Sequence, residues 1–254
     1  MGNLLPKENQ MAQLSSIHPE SYEDEAWHGT HAATLRQLVF GVNDGLVATI
    51  GLVAGLTFAG ARQGTVLGAT IAAILAAVVS MALGSYLSTR TEVQYHQAQV
   101  VREEREIEQN PQEELNEMRQ IYRGYGFAED EIQVFLNRFL QDKKLWLNLM
   151  LRDELGIVQE NFENPWTNAG LMALAVCIGS VPPLIPNFFS THPQSVFLWV
   201  LGLSALTAFG LGAVTGRFSN KGFWRSGLSF LLVAAVAAGI GMGAGHLIAP
   251  IFGK

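Results

Sequence analysis

The sequence predicts an all-α polytopic membrane protein with five membrane-spanning helices and a charged three-helix domain inserted between spans two and three. Three observations carry this. Five apolar runs each approach the ~20 residues that a helix needs to cross a bilayer core. The ionisable residues gather mostly in one block, residues 88–166, instead of being spread along the chain. Within that block Phe135, Phe139, Leu145, Trp146 and Leu149 recur at helical spacing, the pattern of a packing stripe.

Residues 1–36 are polar and mixed, with Glu23-Asp24-Glu25 and His18, His28 and His31 but no repeated ligand spacing. They read as a tail approaching the membrane. No basic, apolar and small-residue pattern occurs there, so no cleavable signal peptide is expected and insertion relies on internal spans. The five spans are residues 38–61, 65–87, 169–189, 196–215 and 227–250. Arg62-Gln63-Gly64 joins the first two as a tight hairpin. Pro182-Pro183 and Pro186 are expected to kink or end the third, with neighbours satisfying the freed carbonyls. Gly41-x-x-x-Gly45, Gly51-x-x-x-Gly55 and Gly241-x-x-x-Gly245 allow close helix contact. The chain thus divides into an N-terminal tail (1–36), spans one and two (37–87), the charged domain (88–166) and spans three to five (167–254).

The charged domain reads as a continuation of span two that stops at Asn110-Pro111, a helix from Gln112 to Tyr122, and a third from near Ala128 to about Gly156. Glu129-Asp130-Glu131 favour the dipole at the start of the third. Arg90, Arg102, Arg105, Arg119, Arg123, Arg138, Lys143, Lys144 and Arg152 lie in this domain, and Arg217, Lys221 and Arg225 between spans four and five. Only Arg62 and Lys254 fall on the other side. The positive-inside rule therefore puts the amino terminus and charged domain in the cytoplasm. Net charge −6 argues against a nucleic-acid partner. The single cysteine, Cys177, excludes an intrachain disulfide.

Two features carry chemistry. Asp44 lies about two turns inside span one, where a carboxylate costs ~2.5–3.5 kcal/mol and marks an ion path or proton relay. It reads either as the cap of a helix broken beside two glycines or, better, as a membrane-embedded cation ligand. His246 is the other ionisable residue of comparable depth. In the charged domain Glu103 and Glu106 share a helical face, and Glu114 and Glu117 repeat the spacing after Pro111. A reversal there would bring four carboxylates together, which repel unless a cation sits among them. Met150 and Glu154, one turn apart, add a thioether and a further carboxylate, tilting preference from magnesium or calcium towards ferrous iron. The bland alternative is a solvated acidic face with an Arg102–Glu106 pair.

The sequence resembles the vacuolar iron transporter family over nearly everything after His31. The resemblance rests on Phe-Gly-Val-Asn-Asp-Gly-Leu (40–46), Ser-Met-Ala-Leu-Gly-Ser-Tyr-Leu-Ser (80–88), Glu-x-x-Glu…Pro…Glu-x-x-Glu-x-x-x-Ile-Tyr (103–122), Met-Leu-Arg-Asp-Glu-Leu-Gly (150–156) and Val-Pro-Pro-Leu-Ile-Pro (181–186). It implies a five-span homodimeric metal/proton antiporter with a path between the two first spans. Asp44 and Met81 would line that path. Glu103, Glu106, Glu114, Glu117, Met150 and Glu154 would collect the metal. The cargo would be ferrous iron, with manganese as a second candidate, and no resident cofactor or enzymatic activity is implied. The membrane would be the plasma membrane in a bacterium and the vacuolar membrane in a eukaryote. A two-fold dimer also follows from charge, because one Asp44 balances only half of a divalent cation. Two positions depart from the family pattern: Ala73 replaces a span-two glutamate, and Leu151 an acid after Met150. The competing readings are a membrane-bound carboxylate-bridged iron oxidase with the charged domain as its active site, against which the lack of Glu-x-x-His pairs in that domain tells, and a metal sensor or storage protein without transport.

Overall fold

The computed structural model describes residues 20–157, 162–189, 193–219 and 221–252, and the side chains of residues 20–33, 193–194 and 251–252 lie outside that description. The expectations for His18, His28 and His31 therefore fall outside it. Among the described residues every regular element is helical: α1 (Glu20–Phe58), α2 (Gln63–Gln109), α3 (Pro111–Gly124), α4 (Glu129–Gln141), α5 (Lys143–Asp153), α6 (Pro165–Leu184), a 3-10 turn (Ile185–Phe188), α7 (Pro193–Phe218) and α8 (Phe223–Phe252). Five of these helices are long and apolar enough to cross a membrane. The chain forms two compact units, Met1–Tyr86 with Trp166–Lys254, and Leu87–Pro165.

In the membrane unit α1 begins at Glu20, inside the stretch that the sequence reads as a tail. Residues 20–36 contain no proline, so nothing stops the helix from propagating back from span one. It ends in a Schellman motif: Ala61 N–H donates to Leu56 O at 3.0 Å and Gly60 N–H to Thr57 O at 3.2 Å. Gly60 takes φ 80°, which a side chain would oppose. The turn is thus set by glycine, and four residues separate the end of α1 from the start of α2.

Helix α1 is held by backbone-close contacts on two flanks. A Cβ at Gly41 would meet Ala175 Cβ at 2.7 Å, and one at Gly45 would strike Val176 O, both on α6. From the other side Gly179 would strike Val42 O. Two turns further along, Gly241 and Gly245 of α8 abut the carbonyls of Gly51 and Gly55. Lipid supplies no hydrophobic drive between helices, so such contacts work through dispersion and close backbone approach. Helices α1, α7 and α8 pack on one another, with Ile50, Val53, Ala54, Val200 and Ala238 buried between them. Gln37 ties three helices together: its Nε2 donates to Ser85 Oγ of α2 at 2.5 Å and to Asn168 O of α6 at 3.1 Å.

Pro182 and Pro183 lie inside the last turn of α6, and Pro186 converts the chain to the 3-10 turn. The buried Asn187 donates from Nδ2 to Pro183 O at 3.0 Å and accepts from Gln63 Nε2 at 3.1 Å. The freed carbonyl is therefore satisfied from within the protein, as a broken helix in lipid requires.

The charged unit is built from the end of α2 with α3, α4 and α5. Pro111 sits at the first position of α3, where its missing N–H costs nothing. The sequence reading runs one helix from Ala128 to Gly156, and the structure divides it at Asp142. That residue leaves the helix (φ −141°, ψ 87°) and its side chain accepts from Leu145 N–H at 3.0 Å. An aspartate that caps a new helix outweighs the continuous apolar period on either side of it. The core joins Ile107, Leu115, Met118, Ile132, Leu136, Phe139, Trp146 and Met150. Tyr122 stacks on Phe135 with ring centroids 5.2 Å apart, so the partly exposed Phe135 still belongs to the packing stripe.

The glycine contacts make opposite predictions for one substitution. Gly179→Ala must displace the Val42 backbone and should cost ~1–3 kcal/mol. Gly202→Ala, with nothing within 4 Å of its Cβ, should be neutral or stabilise by ~0.5–1 kcal/mol. Thermal unfolding in detergent checks both, and equal melting of the two variants would contradict the packing.

Candidate metal centre

The reversal at Asn110-Pro111 folds the acidic end of α2 against α3. Asn110 N–H donates to Glu106 O at 2.8 Å and Glu113 N–H to Asn110 O at 2.9 Å, closing the turn. The third contributor arrives at the end of α5, where Glu154 is the C-cap. One carboxylate oxygen from each of Glu103, Glu114 and Glu154 lies within 4.8 Å of the other two, the one such group among the described residues. Glu103 is 4 % exposed and Glu114 5 %, whereas Glu154 is open to solvent. The group therefore has two buried walls and an exposed mouth.

This is a costly arrangement without a counter-charge. Glu103 stands sixteen residues beyond Leu87, well past the apolar part of α2. Burial, then the charges of Glu154, Glu114 and Glu106, push its carboxyl up to about 8. Burial and neighbouring carboxylates also raise Glu114 and Glu154, with Glu117 the strongest charge acting on each. Glu106 and Glu117 thus act on the group electrostatically, but Glu106 is paired with Arg102 at 3.0 Å. Glu103 Oε1 is buried with no hydrogen-bond partner among the described residues. Three carboxyl groups that are acceptor-only once ionised, one with a buried oxygen that lacks a hydrogen-bond partner, fit a hard or borderline divalent cation.

The other expected residues fall as follows. Met150 is wholly buried in the domain core with Ile107 and Leu115, one turn before Glu154. Leu151 is also buried. Asp153 is engaged elsewhere, accepting from Tyr122 Oη at 3.2 Å and pairing with Arg152 at 2.8 Å. It does not stand in for the missing acid at Leu151. Glu129 pairs with Arg119 and Arg123, and Glu131 accepts from Ala128 N–H at 2.8 Å. Both are helix-start residues, as their position suggests. In the membrane unit Asp44 is half-buried on α1 with no ion-pair or hydrogen-bond partner among the described residues, and Met81 is half-buried on α2. Sequence reasoning did not single out Gln37, Ser85 and Asn187, which position the helices. Their one signal is an amide or hydroxyl at the edge of an apolar run.

The raised carboxyl of Glu103 has a definite sign. Between the ordinary carboxylate value and about 8 the folded chain holds a proton that the unfolded chain has released. Stability therefore falls as pH rises through that window. Glu103→Gln should raise the melting temperature of the metal-free full chain, with the gain growing from about pH 5 to about pH 8 and levelling above it. The variant should also lose the stabilisation that added divalent metal confers on the native chain. Melting curves with and without metal test this, and a variant indistinguishable from native at high pH would contradict it.

Comparison with known proteins covers most of the chain. The model of the VIT family matches residues 35–246. The chain is 32% identical over 220 residues to a vacuolar iron transporter of Centaurea cyanus, covering 85% of this chain and 88% of that protein. It is 29% identical to vacuolar iron transporter 1 of Oryza sativa subsp. japonica, over 92% of each chain. It is equally identical to vacuolar iron transporter 1 of Arabidopsis thaliana, over 83% of this chain and 84% of that protein. With a family match spanning spans one to five and the acidic insert between them, the chain belongs to the VIT family.

Proposed function

We propose that this protein exports ferrous iron, with manganese as a second cargo, from the cytoplasm across its membrane in exchange for protons. The observation that carries the reading is the convergence of Glu103, Glu114 and Glu154 in a family whose named members are iron transporters. The charged unit would collect the cation on the cytoplasmic side, an orientation supported by the arginine and lysine asymmetry. Glu106 and Glu117 would add negative potential around the site, and the Met150 thioether would favour a softer transition metal over magnesium.

The membrane path would use Asp44 and Met81 from two protomers about a two-fold axis. Two Asp44 carboxylates match one divalent charge, which removes the cost of an unpaired ion in lipid. Release of the metal would leave two neighbouring carboxylates in a low-dielectric setting, where like charge and desolvation favour taking up a proton. That alternation is the proposed coupling. An iron-oxidase reading is less well supported, because the three converging ligands are all carboxylates and none comes from a Glu-x-x-His pair.

Sealed proteoliposomes loaded with an iron-sensitive dye test the function. The native chain should accumulate ferrous iron, and Asp44→Asn should reduce the rate to that of protein-free vesicles while leaving dimer elution unchanged. Met81→Ala should be milder and should alter metal preference. Iron binding without uptake by the native chain would overturn transport and favour a sensor or storage protein. Orientation is tested by placing cysteines near Gln194 and Asn137: an impermeant reagent should label the first from outside intact cells and spare the second.

Ala73 gives a separate expectation. It precedes Met81 by eight residues, ~12 Å along α2, and its side chain is exposed on that helix. Ala73→Glu should strengthen the dependence of iron uptake on an imposed pH gradient. Full coupling in the native chain with no change in the variant would show that the position is irrelevant and that Asp44, or His246, suffices.

A further inference from the structure

His96 is the one histidine of the charged block, residues 88–166. The structure gives it company. Thr89, Glu92 and His96 of α2 line a cavity of about 190 Å³ whose other wall is Ile157, Phe162 and Glu163, just before α6. Glu92 and His96 are one turn apart on the same helical face. The His96 ring lies against Phe162 with centroids 5.7 Å apart, which restricts its rotation. The lining residues include two carboxylates, an imidazole and a hydroxyl but no lysine or arginine.

We propose that this cavity is a second divalent-metal site, distinct from the glutamate cluster, at which the cation pauses on its way towards the membrane span. The claim rests on the export reading given above for its direction, though not for its chemistry. The lining offers carboxylate oxygen, and its imidazole selects the transition metals over magnesium and calcium. These ligand atoms are not gathered as tightly as those of Glu103, Glu114 and Glu154. The ion would therefore keep several waters, each taking ~30 Å³ in the liquid, for which the cavity has room. Looser, part-hydrated binding is what a transfer site needs, since a cation must leave it. Along α2 the seven residues from Glu103 to His96 rise ~10 Å, and the nine from His96 to Leu87 a further ~13 Å. His96 thus lies between the collecting carboxylates and the apolar stretch, and nothing in that interval of the helix is cationic except Arg90 and Arg102.

Manganese(II) bound to the full-length protein in detergent provides the test, read by pulsed electron paramagnetic resonance for modulation from a coordinated imidazole nitrogen. The background is Glu103→Gln with Glu114→Gln and Glu154→Gln, which empties the collecting cluster. We expect a bound ion with nitrogen modulation in that triple variant and loss of the modulation when His96→Gln is added. Glu92→Gln should keep the modulation and weaken manganese binding by about tenfold. Absence of nitrogen modulation in the triple variant, or its survival after His96→Gln, would overturn the second site. The two readings fail separately. Abolition of all manganese binding in the triple variant sinks this site and spares the collecting cluster, whereas unchanged binding stoichiometry there sinks the cluster alone.

Discussion

The membrane unit depends on how closely two other helices can approach the backbone of α1. Gly41 and Gly45 admit α6, and Gly51 and Gly55 meet Gly241 and Gly245 of α8. Side chains at these positions would force the helices apart. Asp44 sits within the first contact in the chain, between Gly41 and Gly45, seven residues and thus two turns before Gly51 on nearly the same meridian of the helix. A carboxylate held at that place on a helix fixed from both sides has little freedom to swing to an aqueous interface. The packing thereby explains how a costly group can be kept at depth.

A different constraint organises the charged unit. Its apolar core orients α2, α3 and α5 so that their acidic residues converge, and burial makes that convergence expensive. Glu103 and Glu114 are as buried as the hydrophobic residues beside them. Folding free energy is spent on holding like charges together, and a site destabilised in this way is a common mark of function. A cation would offset the repulsion, so the proposed metal affinity and the cost of the convergence are two sides of one arrangement. The same logic accounts for Arg102, which pairs with Glu106 at the edge and leaves the buried pair without a cationic partner of its own.

Much of this was legible in the amino-acid order because it depends on length and period. The five spans follow from apolar runs that nothing but a bilayer or a large core would cover, and the prolines of α6 mark its end. The glycine pairs predicted close contact, although only the structure assigns Gly51 and Gly55 to α8 and Gly41 and Gly45 to α6. Less legible were features set by one residue or by tertiary packing. Periodicity runs straight through Asp142, where a single side chain caps a new helix. Equal spacing made Glu103 and Glu106 look alike, yet three residues leave them ~60° apart on the helix, and one faces Glu114 while the other faces Arg102. The cavity at His96 needed Glu163, sixty-seven residues away, and no local pattern could have supplied it.

The central claim is that the glutamate cluster binds a transition metal through protein ligands. Iron K-edge X-ray absorption on the ferrous-loaded full-length protein measures this directly. The account predicts a first shell dominated by carboxylate oxygen with one sulfur scatterer from Met150, and loss of the sulfur signal in Met150→Leu. A shell of water oxygens alone, or an unchanged spectrum when Glu103, Glu114 and Glu154 are all replaced by glutamine, would contradict it.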